Sequence, residues 1–279
     1  MPELPEVETI KTAIERHIGN ARIDNVIIRN RRLRLPVPDD TEERLRNRRI
    51  TGYRRRAKYI LIHLDNGLSI IWHMGMSGRV LICDVPPDPP GKHDHIIIRT
   101  DKGCLVYNDA RRFGLFTYCE TAVLNEHPLL AKMGPEPFDE ALTADYLYDR
   151  LQKKKIPLKA ALLDQEIVTG IGNIYASEAL YHAAISPLRP ADKVSRSECR
   201  KLIEAVRKTL QSAIAAGGST LKDYEKPDGS LGYFQNLHCV YNKTGQKCPQ
   251  CTCDTAKTGG IRKTVLAGRS TFYCPRKQK

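Results

Sequence analysis

The chain is short of acid, of tryptophan and of unbroken apolar sequence. Its 279 residues include one Trp and five Phe, and no stretch approaches the ~18 consecutive apolar residues that a membrane-crossing helix needs. The first twenty residues carry Glu3, Glu6 and Glu8 and lack the apolar centre of a secretory leader. A cytoplasmic protein with no membrane partner is therefore expected. Asp and Glu number 32 against 45 Lys and Arg, a formal charge of +13. A soluble chain this basic usually meets a polyanion, nucleic acid first of all. The nine cysteines are odd in number and come without a leader, which argues against a disulfide framework and for reduced thiols. No internal repeat or low-complexity tract is present. At 41% hydrophobic and 28% charged the composition is globular, and the length predicts two or three compact units.

The apolar residues change period along the chain. Val7, Ile10, Ala13, Ile14 and Ile18 recur at helical spacing, with Pro5 suited to a first turn. From Ile23 to Val106 the texture becomes short β-rich runs at residues 26–28, 59–62, 68–72, 95–98 and 105–107, broken by Asn, Asp, Gly and Pro. This reads as a sandwich or barrel. Met133-Gly134-Pro135-Glu136-Pro137 punctuates the chain, and residues 158–165, 173–184 and 195–216 then carry helical patterns. Leu202, Val206, Leu210 and Ile214 form a stripe that Gly217-Gly218 closes. Residues 222–236 read as a recognition loop. From Cys239 onward nine Lys or Arg face one acid, Asp254, a basic miniature module. Basic runs at residues 29–34 and 44–58 join it as candidate phosphate contacts.

Chemistry concentrates at the two ends. Removal of Met1 would make the secondary amine of Pro2 the first group of the chain, beside Glu3. A free α-amine titrates near pH 8, about two units below a lysine, so its neutral fraction can attack a carbonyl carbon and form an iminium. The same residues would also serve as a plain helix start with acids near the positive dipole end. At the other end Cys248-Pro-Gln-Cys251 has the spacing of a zinc knuckle. Cys83, Cys104, Cys119 and Cys199 stand alone and read as small buried hydrophobes.

Ordered motifs run through the whole chain: Met1-Pro2-Glu3-Leu4-Pro5-Glu6, Arg55-Arg56-Ala57-Lys58-Tyr59, His73-Met74-Gly75-Met76-Ser77-Gly78, Lys92-His93-Asp94-His95, Asp109-Ala110-Arg111-Arg112-Phe113-Gly114, Gly170-Ile171-Gly172-Asn173 and Gly268-Arg269-Ser270-Thr271-Phe272-Tyr273-Cys274. Together they resemble the formamidopyrimidine-DNA glycosylases, bifunctional enzymes that excise oxidised purines such as 8-oxoguanine. The resemblance implies an α+β multidomain fold: an N-terminal β-sandwich with an N-terminal helix (1–133), a helical helix-two-turn-helix domain (134–222), a lesion-recognition loop and linker (223–238) and a zinc-finger-like hairpin (239–279). A pyrimidine-directed endonuclease VIII relative is disfavoured by Leu4 and by Arg111 to Phe113, and a catalytically dead DNA-binding relative by the intact Pro2-Glu3 start.

The same resemblance assigns roles. Pro2 is the nucleophile, Glu3 the general acid and base, Lys58 the proton donor for β-elimination, and Arg269 the finger residue for δ-elimination and phosphate contact. Met76, Arg111 and Phe113 fill the gap left by an extruded nucleotide, although on residue type alone Met76 and Phe113 are more often core residues. His73, His93, Lys154 and Asn173 resemble DNA contacts, with Lys159 near the flipped nucleotide. The implied partner is double-stranded DNA carrying oxidised purines or abasic sites, bound by a monomer. The implied cofactor is one Zn2+ on Cys248, Cys251 and Cys274. Lys277 stands where the fourth Cys belongs, which leaves Cys253, His238, Cys239 or water as the fourth donor, or a hairpin without metal.

Overall fold

The computed structural model describes residues 1–219, 232–252 and 254–279. In chain order the elements are α1 (Leu4–Ile18), β1 (Ile23–Ile28), α2 (Thr41–Leu45), β2 (Ile50–Arg56), β3 (Tyr59–Leu64), β4 (Leu68–His73), β5 (Arg79–Cys83), β6 (Asp94–Thr100), β7 (Gly103–Asn108), β8 (Leu115–Glu120), α3 (Ala144–Leu151), α4 (Leu158–Leu162), α5 (Asn173–His182), α6 (Arg196–Ala215), α7 (Thr255–Thr258), β9 (Arg262–Leu266) and β10 (Arg269–Tyr273). They fall into two compact units, one of residues 1–131 with 214–235 and the other of residues 132–213 with 236–279.

The first unit holds two four-stranded antiparallel sheets, β1-β6-β7-β5 and β2-β3-β4-β8. Their inner faces and α1 share one core. Ile10, Ile14 and Ile18 of the helix meet Ile60 and Trp72 of one sheet and Ile96, Leu105 and Tyr107 of the other. Trp72 packs edge-on to Tyr107 and Phe116, at centroid separations of 5.5 and 5.2 Å, the offset geometry favoured by ring quadrupoles. Burying a side chain of this size contributes roughly 2–3 kcal/mol, so the α1 stripe and Trp72 anchor the sandwich.

In the second unit Leu202, Val206 and Leu210 of α6 are buried as their spacing requires, and the helix is followed by left-handed Gly217 and Gly218. Tyr181, Val240, Ile261 and Phe272 form a separate core under the C-terminal hairpin. That hairpin, β9-β10, pairs Leu266 with Arg269 across the two-residue turn Ala267-Gly268. Both turn residues have positive φ, 46° and 72°, the twist a tight hairpin needs.

The architecture is the expected one, with local differences. Strands β2, β5 and β8 and helix α3 went unread. β2 is an edge strand dressed in Arg54, Arg55 and Arg56, and its charge masked its alternation. The helix expected over 158–165 stops at Leu162, because Asp164 and Gln165 turn back onto the following loop. The basic runs are partly engaged inside the fold. Arg29 donates to the carbonyls of Gly91 and Asp94, Arg31 to Glu42 at 2.6 Å, and Arg55 to Glu8 at 2.8 Å. The segment expected as a recognition loop lies largely outside the described residues.

Candidate active site and nucleic-acid interface

The start of α1 is tied at both carboxylate oxygens of Glu6. Oε2 accepts the Glu3 backbone N–H at 2.8 Å and Oε1 the Ser219 backbone N–H at 2.8 Å. Glu3 caps the helix in extended conformation and is buried, 4% exposed. Its carboxylate therefore belongs to the residue that follows Pro2, in a site that excludes most water. Lys58 is also buried, at 8% exposure. It follows Ala57, held at φ 53° in the two-residue turn that joins β2 to β3, and Arg55 fixes that turn through the Ala57 carbonyl at 3.1 Å.

His73 ends β4 across from Tyr59, with ring centroids 4.8 Å apart. Its Nδ1 accepts the Gly75 N–H at 2.9 Å. Burial first, and then the positive charges of Arg34, Lys58 and the N-terminal amine, push the imidazole down to about 4. His73 is thus a neutral ring within the field of Arg34 and Lys58.

Two loops project from the same unit, and Asp109 holds both. The carboxylate is fully buried. Oδ1 accepts from Ser77 Oγ at 2.6 Å and from the Arg111 N–H at 3.2 Å, while Oδ2 accepts from Tyr107 Oη at 3.0 Å and the Gly114 N–H at 2.8 Å. Burial and the Asp109 carboxylate raise the Tyr107 phenol, keeping it a donor. Gly75 has φ 66°, and a Cβ there would stand 2.3 Å from the Phe113 carbonyl carbon, so only glycine allows the 74–78 loop against the 109–114 loop. The result brings the loop that carries half-buried Met76 against the loop that carries Arg111 and Phe113. Phe113 is 48% exposed, with the Arg111 guanidinium 4.9 Å from its ring centroid. Phe113 is thus no core residue. His93 is half-buried, and its carbonyl accepts the Asp109 N–H at 3.0 Å.

In the second unit the Gly170-Ile171-Gly172 turn leads into α5. Gln165 braces it, accepting the Gly170 N–H at 2.9 Å and donating to the Ile171 carbonyl at 3.0 Å. Lys159 is 1% exposed, and its ammonium donates to Asn173 Oδ1 at 2.7 Å, the Ser270 carbonyl at 2.9 Å and Thr271 Oγ1 at 3.0 Å. Asn173 in turn donates to the Ser270 carbonyl at 3.0 Å. These bonds fasten α4 and α5 to the strand that begins with exposed Arg269. Lys154 is half-buried and ion-paired with Asp164 at 3.0 Å.

Cys248, Cys251 and Cys274 place their sulfurs within 4.8 Å of one another, a set able to hold a metal ion and filling three corners of a tetrahedron. Lys277 does not complete it. Its ammonium donates to Gln250 Oε1 at 2.7 Å and lies 4.0 Å from the Tyr181 ring centroid. Cys239 belongs to a different group, with Glu178 and His182, and Glu178 already accepts the backbone N–H groups of residues 239, 240 and 241. His238 is in neither group. Cys253 lies outside the described residues.

Sequence reasoning found Glu3, Lys58, His73 and Asn173 through motifs. It missed Glu6 and Asp109 as organisers, although both lie inside quoted motifs, because their partners are far away in sequence or are backbone groups. A β-sandwich unit with a buried carboxylate next to Pro2 and a buried lysine, together with a unit that carries a helical turn motif and a hairpin finger, is the set of parts of a DNA glycosylase of base excision repair. The formamidopyrimidine-DNA glycosylase N-terminal domain matches residues 1–116 and the formamidopyrimidine-DNA glycosylase H2TH domain residues 133–225. The formamidopyrimidine-DNA glycosylase of Rhodospirillum rubrum is 48% identical with all of both chains covered, and that of Dinoroseobacter shibae is 45% identical at the same coverage. Among solved structures, the MutM (Fpg) protein of Thermus thermophilus is similar at a TM-score of 0.86 and 36% identity, covering 99% of this chain and 98% of that one. The Lactococcus lactis Fpg in complex with abasic-site DNA gives 0.90 and 32%, with both chains fully covered. The chain belongs to the formamidopyrimidine-DNA glycosylase family.

Proposed function

We propose that this chain, acting as a cytoplasmic monomer, excises oxidised purines from double-stranded DNA through an iminium on Pro2 and then cuts the strand at the resulting abasic site. The observation that supports the reading is that Glu3, Lys58 and His73 of the first unit are all buried, with burial keeping the His73 ring neutral. Once Met1 is removed, the Pro2 nitrogen attacks C1′ of the extruded nucleotide as the C1′–base bond breaks. Glu3 moves the protons that ring opening requires. The sugar then remains linked to Pro2, and loss of a proton from C2′ expels the 3′ phosphate, with Lys58 the donor that balances the step. Nearby cationic groups favour the neutral amine and stabilise departing phosphate. Arg269, from the second unit, contacts phosphate and serves the subsequent δ-elimination.

Met76, Arg111 and Phe113 refill the gap. An exposed ring stiffened by a guanidinium is a wedge for a base step, and the guanidinium has donors for the unpaired cytosine. His73, His93, Lys154 and Asn173 follow phosphates. Lys159, with its ammonium enclosed, acts by holding Asn173 and the Arg269 strand. We read residues 1–133 as the catalytic domain, 134–222 as the helix-two-turn-helix domain, 223–238 as lesion loop and linker, and 239–279 as the finger. In that finger Cys248, Cys251 and Cys274 would hold one Zn2+, a structural cross-link between the knuckle and the end of β10, with the fourth corner open to water.

The test uses protein verified to lack Met1 and a duplex with one 8-oxoguanine opposite cytosine. Borohydride should trap an adduct that peptide mapping assigns to Pro2, with release of the base. Binding without base release or adduct would overturn the glycosylase reading for this lesion. A parallel metal assay should find about one zinc per chain.

A further inference from the structure

Two of the cysteines that stand alone in sequence meet in the fold. Cys83 closes β5 and Cys104 opens β7, and the antiparallel register sets them directly opposite one another. Both belong to the outer face of the β1-β6-β7-β5 sheet, where Cys104 forms a small cluster with Ile97 and Val106, and Leu81 and Cys83 pack against it. The pair is therefore on one side of the sheet. Directly opposed residues on antiparallel strands have Cα atoms about 4.5–5.5 Å apart, inside the roughly 4.4–6.8 Å range of disulfides. Gly103 brings the backbones together at this point: with φ 137°, a Cβ there would stand 3.0 Å from the Cys83 carbonyl oxygen. The Cys83 sulfur lies 3.9 Å from the Cys104 carbonyl oxygen.

The two thiols are unequal. Cys104 is buried, and β5 is the edge strand of its sheet, which leaves Cys83 half-buried. Burial, followed by a hydrogen bond with Cys83, pushes the Cys104 thiol up to about 12. Cys83 is accordingly the sulfur that meets a dissolved oxidant, and Cys104 the one that resolves it. Arg99, paired with Cys104 from β6, is an exposed cation whose charge opposes the effect of burial on the Cys104 thiol.

We propose that Cys83 and Cys104 are a reversible dithiol–disulfide pair addressed by hydroperoxides. The Cys83 thiolate attacks the peroxide oxygen, giving a sulfenic acid and releasing water. The Cys104 sulfur then attacks the Cys83 sulfur, forming the S–S bond and releasing a second water. Two electrons leave the thiols and reduce one hydrogen peroxide to two waters, so the step balances. The link would join β5 to β7 at the ends remote from Arg79 and Asn108, which lead from and into the 74–78 and 109–114 loops. It tightens the sheet without entering those loops.

The full-length protein is treated with hydrogen peroxide under native conditions, blocked with N-ethylmaleimide, digested without reduction and mapped by mass spectrometry. A peptide pair joined through Cys83 and Cys104, 2 Da lighter than its reduced parts and recovered on adding dithiothreitol, is expected. The apparent Tm should rise by about 5 °C or more from closing the loop between them, and the C83S/C104S double variant should show neither the link nor the rise. Borohydride trapping on abasic DNA should stay within about twofold when finger oxidation is blocked with zinc, since the 74–78 and 109–114 loops are untouched. Mapping also reports Cys251 and Cys274 of the second unit, whose sulfurs are 3.8 Å apart. If Cys83 and Cys104 stay alkylatable after unfolding while other thiols are oxidised, or if Cys83 is found joined elsewhere, the proposal falls. This outcome is read on the unaltered protein and does not depend on a variant folding.

Discussion

Glu3 and Asp109 are both buried carboxylates, yet their surroundings give them opposite tasks. Asp109 accepts four donors, two from side chains and two from the backbone, so it is a fixed acceptor with no capacity left for proton traffic. An Asp109→Asn change turns one oxygen into a donor facing the Gly114 N–H. A loss of roughly 2–4 kcal/mol is expected, measurable by urea unfolding, together with weaker 8-oxoguanine excision because the Arg111–Phe113 loop is released. Glu3 instead follows Pro2, the proposed nucleophile. Glu3→Gln should keep the helix start and leave the Tm within about 1 °C while slowing base release by ~10²–10⁴, the range for a lost acid–base group. Single-turnover kinetics and calorimetry separate these cases. His73 makes a pH prediction. Its folded value of about 4 lies below the ordinary 6.5, so the unfolded chain binds the extra proton first. The stability from keeping the ring neutral is complete above pH 6.5 and is lost as pH falls towards 4, amounting to about 3 kcal/mol at most. His73→Asn, whose amide oxygen can replace Nδ1 as acceptor for Gly75, should flatten the fall in Tm over that window. An equally steep fall in the variant would remove His73 as the cause.

At the scale of elements, a buried cation helps tie the hairpin β9-β10 to α4 and α5. Lys159 gives all three of its protons to Asn173, Ser270 and Thr271, so Lys159→Met leaves three acceptors without that donor and loosens the strand that begins at Arg269. About 3 kcal/mol of destabilisation follows from breaking a buried charged network, and hydrogen exchange should locate it at α5 and β10. This element also shows what sequence can and cannot display. The α1 stripe, β3, β4 and α6 were legible because their apolar period is local and strong. Pro2, Glu3, Lys58, Arg111 and Asn173 were legible because motifs carry them. Lys159 was legible as a residue of interest, but its enclosure was not, since two of its acceptors lie more than a hundred residues on. The Cys83–Cys104 register was equally invisible: it depends on which strands pair, and β5, only five residues long, went unread. The Asp109 network needs Gly75 at positive φ against Phe113, a close approach that no local pattern encodes.

For the whole molecule the formal charge of +13 sets how binding responds to salt, but not every cation contributes. Each phosphate neutralised releases condensed counterions and adds about −0.9 to the slope of log K against log salt. Arg31 and Arg55 are ion-paired with Glu42 and Glu8, and Lys159 is enclosed. These three should add little beyond the long-range field. Arg269 is exposed, and Lys154 is only half-buried. Titrations of a duplex containing a tetrahydrofuran abasic analogue between about 50 and 200 mM salt should therefore give a slope that falls by close to one unit for Arg269→Ala and also for Lys154→Ala. Lys159→Met should lower affinity at every salt concentration with the slope unchanged, because what it loses is the seating of Asn173 and the Arg269 strand. A slope change of a full unit for Lys159→Met would instead make that ammonium a phosphate contact, and would mean that DNA draws it out of the acceptors it holds in the free protein.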